Sequence, residues 1–109
     1  MNERLDEYCA LVYNEIKNKA TKLRPIKLST LRQSVNLNRR QIQKVLFELR
    51  KTYPIVAKET DGGGYWLAQN EEDVIQYITM MQNRVNGYNE TIKLMNNFIA
   101  DYGNIPYVD

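Results

Sequence analysis

Residues 38–67 read NRRQIQKVLFELRKTYPIVAKETDGGGYWL. The first half has a helical period. Ile42, Val45, Leu46 and Leu49 recur at three- and four-residue steps and form one apolar stripe. Arg39, Arg40, Gln43 and Lys44 lie off that stripe, toward its N-terminal end. Asn38 precedes them with the short polar side chain of a helix N-cap. The pattern predicts a helix from Arg39 to about Thr52, with one side for burial and another for polar donors. The second half changes period. Pro54-Ile55-Val56-Ala57-Lys58 reads as a strand start and Tyr65-Trp66-Leu67-Ala68 as a second strand. Between them, Glu59-Thr60-Asp61 leads into Gly62-Gly63-Gly64. Asp-Gly and Gly-Gly supply the positive φ angles of a tight hairpin, and glycine lets backbone approach another surface closely. Tyr65 and Leu67 alternate with Trp66 and Ala68, so one pair faces the helices. A dinucleotide fingerprint is excluded, because it needs a helix after its glycines and a strand follows here.

Upstream, Leu5, Tyr8, Cys9, Val12 and Ile16 share one face of a helix over about residues 2–20. Cys9 lies on that face, where a small core residue is the simpler reading than a reactive thiol. Pro25 separates this helix from the next segment. Ile26-Lys27-Leu28 is short and extended. Ser29 reads as the N-cap of a short helix, Thr30 to Val35, and Asn36-Leu37-Asn38 as the break after it. The order is helix, short helix, tight break, basic helix, hairpin. The middle of it is a helix-turn-helix arrangement.

The ordered set Asn38-Arg39-Arg40, Leu49-Arg50, Pro54-Ile55 and Gly62-Gly63-Gly64-Tyr65-Trp66-Leu67 resembles the winged helix-turn-helix domain of the biotin-operon-repressor type. The resemblance covers about residues 25–69. It is similar to small phage-encoded winged-helix DNA-binding proteins with an appended C-terminal helix. It implies a recognition helix, 38–52, in the major groove and a wing, 55–68, on the phosphate backbone or minor groove. Arginine forks onto guanine and glutamine pairs with adenine in that geometry. The candidate DNA contacts are Asn38, Arg39, Arg40, Gln43 and Lys44 on the helix and Lys58 and Thr60 on the wing. Lys27, Ser29 and Thr30 open the helix before and are candidates for holding phosphate. Where the family commonly shows a second basic pair, this chain has Gln43-Lys44, so base preference does not carry over.

Downstream, Asn70-Glu71-Glu72-Asp73 reads as a capping residue followed by carboxylates in the positively polarised first turn of a helix. That helix is expected to reach about Tyr102, with Gly103 as its C-cap and Pro106 beyond. Val74, Ile78, Met81, Val85, Tyr88, Ile92, Met95, Ile99 and Tyr102 step by alternating fours and threes, a heptad seam. Ile78, Val85, Ile92 and Ile99 occupy a; the other five occupy d. Beyond Arg84 the flanking positions carry little charge, and Gly87 falls at c. A 30-residue helix is about 45 Å long, whereas a 70-residue domain has a radius of gyration near ~11 Å. The helix overhangs, so self-association through these nine residues is expected. The organisation is thus α+β, mainly α: a winged helix-turn-helix domain at 1–69, a long coiled-coil-like oligomerisation helix at 70–103, and a tail at 104–109.

Composition agrees with a binding protein. The 109 residues carry 15 Lys/Arg and 13 Asp/Glu, a net charge of only +2, but unevenly placed. Residues 1–69 hold 13 basic and 7 acidic residues; residues 70–109 hold 2 and 6. Within 17–51 there are eleven basic residues against Glu48 alone, which suggests an anionic partner. Histidine is absent and cysteine occurs once. No disulfide can form within the chain, the commonest general base is missing, and neither a metal site nor a cofactor is expected. Glu59 and Asp61 are the one carboxylate pair near a glycine turn. They read as exposed acids that restrain phosphate approach, so an enzyme is not expected. The N-terminus is charged where a signal peptide would be apolar, and no run is long enough to span a membrane. A cytoplasmic protein is expected.

The leading expectation is a dimeric, sequence-specific double-stranded DNA binder that regulates transcription. Two alternatives stand beside it: an adaptor whose winged domain or long helix binds a host protein, and a replication-origin-binding protein.

Overall fold

The computed structural model describes residues 3–100. The chain is mainly helical, with one small antiparallel sheet. Its elements run α1 (Glu3–Lys19), α2 (Leu28–Val35), α3 (Arg39–Leu49), β1 (Ile55–Lys58), a 3₁₀ turn (Thr60–Gly62), β2 (Gly64–Leu67) and α4 (Glu71–Ala100). It divides into two compact units, residues 1–77 and 78–109.

The first unit is built around one core. Val12 and Ile16 of α1, Leu31 of α2, Leu37 of the break, the α3 stripe and Ile55 of β1 are all buried together, with Ile26 closing the cluster. Tyr13 and Tyr53 stack beside it, ring centroids 4.2 Å apart. The helical order expected from sequence is present, with local differences. The first turn of α2 includes Ser29, so Ser29 is not its cap. Lys27 holds the N-cap position in extended backbone and makes no side-chain cap bond. The reason lies in the segment before: Ile26 exchanges both backbone hydrogen bonds with Tyr65 (2.9 and 2.8 Å), which keeps the chain extended up to Lys27. Asn36 ends α2 in the left-handed region at φ 53°, which asparagine tolerates better than most side chains. Helix α3 stops at Leu49 rather than Thr52, and Lys51 and Thr52 form a turn.

The hairpin pairs Ile55 with Leu67, Val56 with Trp66, Ala57 with Tyr65 and Lys58 with Gly64. Its connection is wider than a two-residue tight turn, because the 3₁₀ turn occupies Thr60–Gly62. All three glycines have positive φ: 87°, 73° and 137° at Gly62, Gly63 and Gly64. At Gly64 the reason is also steric. A Cβ there would lie 2.7 Å from Pro25 Cβ and 3.0 Å from the Ile26 carbonyl oxygen. The glycine run therefore lets the segment before α2 press directly onto β2.

Both faces of β2 are engaged. Tyr65 and Leu67 pack against the main core, while Trp66, 5% exposed, is buried on the other side. The Trp66 indole N–H donates to Asp73 Oδ2 at 3.4 Å. Asp73, itself 2% exposed, also accepts from the Gln69 backbone N–H and pairs with Lys22 Nζ at 3.1 Å. Asn70 caps this first turn of α4, its side-chain oxygen accepting from Asp73 N–H at 3.0 Å. The salt link from Lys22, reinforced by the Gln69 and Trp66 hydrogen bonds, holds the Asp73 carboxyl below the usual aspartate value against the opposing effect of burial. Arg50 ties the end of α3 to the same region. Its Nε–H donates to the Ile55 carbonyl at 2.9 Å and its guanidinium lies 5.1 Å from the Tyr77 ring centroid.

The second unit consists, among the described residues, of the remaining turns of α4. Every side chain from Met81 to Ile99 is exposed. The expected extension to Tyr102, the Gly103 cap and the tail 104–109 lie outside the described residues. No described helix is long and apolar enough to cross a membrane.

Candidate nucleic-acid interface

Helix α3 positions the centre of the candidate surface. Its stripe, Ile42, Val45, Leu46 and Leu49, is buried, which turns Arg39, Arg40, Gln43 and Lys44 outward. Asn38 fixes the helix start through a capping box. Its side-chain oxygen accepts from Gln41 N–H at 2.8 Å, and the Gln41 side chain accepts from Asn38 N–H at 2.9 Å. Asn38 thus commits its oxygen to the helix and keeps only its amide NH₂ for a ligand. Gln41 was the signal that sequence reading passed over, three residues after the cap.

The hairpin stands beside α3. Gln43 donates from its side-chain amide to the Tyr65 hydroxyl at 3.4 Å. Lys27, at the start of α2, reaches toward the glycine turn, where a Cβ on Gly62 would meet its Cε and Nζ at 3.1 Å. Lys27 and Thr30 share one depression with Arg24, and Ser29 shares another with Arg32. Lys44 lines a third, between α1 and α3, with Arg4, Tyr8 and Gln41. Arg4, Arg24 and Arg32 were missed from sequence. Packing of α1 on α3 brings Arg4 next to Lys44, whereas Arg24 and Arg32 lie only three residues from Lys27 and Ser29 along the chain. Thr60 is exposed in the turn and Lys58 is half-buried at the end of β1.

Among the described residues, three lysines are spent on ion pairs. Lys19 pairs with Glu15 at 2.8 Å, Lys51 with Glu48 at 3.1 Å and Lys22 with Asp73 at 3.1 Å. None of these three lysines belongs to the candidate surface. Lys27, Arg39, Arg40, Lys44 and Lys58, which do, have no ion-pair partner among the described residues. Unpaired cations on one surface keep their full attraction for an anion, because no internal carboxylate has to be displaced first.

No group of three or more potential metal ligands occurs among the described residues. Burial first, then Glu48 and Asp6, pushes the Cys9 thiol up, away from the reactive thiolate. No protein-family model, curated protein or solved structure matches this chain.

Proposed function

We propose that residues 1–69 act as a winged helix-turn-helix domain of the biotin-operon-repressor type, and that the protein is a dimeric, sequence-specific double-stranded DNA binder that regulates transcription. Helix α3 enters the major groove. The hairpin serves as the wing and meets the phosphate backbone or minor groove through Lys58, Thr60 and backbone N–H groups. Lys27, Ser29 and Thr30 hold phosphate at the start of α2. The observation that carries this reading is the unpaired basic set around α3 and the hairpin, whereas Lys19, Lys22 and Lys51 elsewhere are spent on Glu15, Asp73 and Glu48. The exposed seam of α4 supports self-association.

Selection from random double-stranded DNA tests the proposal. An enriched inverted repeat is expected, with affinity falling steeply as salt rises. Arg40→Ala should cost about 1–3 kcal/mol and relax preference at defined bases, whereas Lys27→Ala should weaken all sequences alike. Absence of any enriched sequence sinks the sequence-specific reading. The same exposed seam then favours the second reading, an adaptor that binds a helix of another protein.

A further inference from the structure

We infer that the second copy of α4 lies antiparallel to the first, about a two-fold axis crossing the helix pair between Asn86 and Gly87. This rests on the dimer reading above and gives it a direction. The occupant of the seam is a second copy of this chain. Ile78, Met81, Val85, Tyr88, Ile92, Met95 and Ile99 are 40–72% exposed. At roughly 100 Å² of exposed surface each, they offer on the order of 700 Å², close to the ~800 Å² per partner of a stable interface.

Direction follows from side-chain size. From Val74 to Ile99 the seam steps by 4, 3, 4, 3, 4, 3 and 4, which reads the same from either end. Both directions therefore keep the side chains interdigitated. A parallel pair stacks each residue on its own copy, so a thin Val85 layer adjoins a thick Tyr88 layer. An antiparallel pair sets Val85 against the partner's Tyr88, Ile78 against the partner's Met95 and Met81 against the partner's Ile92. Each of these layers joins a β-branched side chain to a larger unbranched or aromatic one. Val85, one of the two smallest seam residues, faces the largest, Tyr88, which evens the thickness of the central layers and leaves fewer voids there, while Val74 meets the partner's Ile99.

The flanks agree. Phe98, 41% exposed, gains the partner's Tyr77 as its neighbour in the antiparallel register. In the parallel register Tyr77 meets the partner's Gln82 instead. Charge points the same way. Glu71 and Glu72 open α4, and the end of the described helix carries no basic residue. Parallel pairing sets two acidic first turns and two like helix-dipole ends side by side. Antiparallel pairing separates those first turns by about 45 Å and opposes the dipoles.

Cysteine cross-linking tests the direction. Cys9→Ser removes the one native thiol. In that background Ile78→Cys and Met95→Cys are made as separate proteins, one bearing a tag, then mixed, allowed to exchange and oxidised. Covalent dimer is expected from the mixture and not from either protein alone. In the antiparallel pair two copies of residue 78 lie about 25 Å apart along the axis, beyond the ~7 Å reach of a disulfide. Self-linking of Ile78→Cys alone overturns the inference. Spin labels at Asn97, on the outer face, give a second reading that leaves the seam intact. A separation of about 30 Å or more is expected, against labels at the same level in a parallel pair. A monomer in sedimentation overturns both this inference and the dimer. An enriched DNA sequence bound by that monomer would still leave the DNA-binding reading standing.

Discussion

Helices α3 and α4 carry the same kind of apolar stripe and meet opposite fates. In α3 the four stripe residues are 0–6% exposed; in α4 the seven from Ile78 to Ile99 are 40–72% exposed. The local period is equal, so period alone does not decide burial. The difference is whether the chain supplies a facing surface. α3 has α1, α2 and β1 around it. The α4 seam beyond Tyr77 stays exposed among the described residues.

Truncating the two stripes should break this comparison most sharply. Leu46→Ala, at a fully buried site, should lower stability by about 2–5 kcal/mol, read as a lower urea midpoint in Trp66 fluorescence. Ile92→Ala should leave that midpoint within about 0.5 kcal/mol and reduce self-association instead. Equal shifts in the midpoint would mean that the α4 seam folds onto its own chain. The two glycine environments make a smaller contrast of opposite sign. Gly64→Ala forces a side chain at φ 137° into Pro25 and should cost about 1–3 kcal/mol. Gly87→Ala meets nothing within 4 Å and should raise helix stability by about 1 kcal/mol, measured by circular dichroism on heating.

Protonation is the mildest change, because Lys22 remains half-exposed and its pairing is screened by solvent. Asp73 has a lowered pKa in the folded chain. Its contribution is therefore fully present above the ordinary aspartate value of about 3.9 and is lost as pH falls through the lower folded value. Asp73→Asn should flatten the acid limb of stability against pH, followed through Trp66 emission. An unchanged acid limb would show that the Lys22–Asp73–Trp66 link adds nothing to stability.

Much of the order was legible because its causes are local. The α3 stripe, the Asn38 cap and the glycine run each act over a few residues of chain. Ser29 misled because its cap preference is also local, while the start of α2 is set by Ile26 pairing with Tyr65, far away in sequence. Within the candidate surface, the outward set on α3 could be read from the position of its stripe. Arg4 beside Lys44 could not, because a contact between α1 and α3 brings them together. Arg50 is the converse case. It stands in a basic run, yet it serves the interior through Ile55 and Tyr77.

By itself the sequence determined the succession of helices and hairpin, the basic outer side of α3 and the heptad seam of α4. Periodicity, caps and glycine conformations are properties of short segments, and a linear reading reaches them. Tertiary structure decided that Lys22 is spent on Asp73, why Gly64 has no room for a side chain, and that Asp73 is a buried partner of Trp66 and Lys22 rather than a solvated helix-start acid. Those outcomes depend on groups that meet only when distant segments pack. Burial and pairing energies belong to the meeting and not to either residue alone.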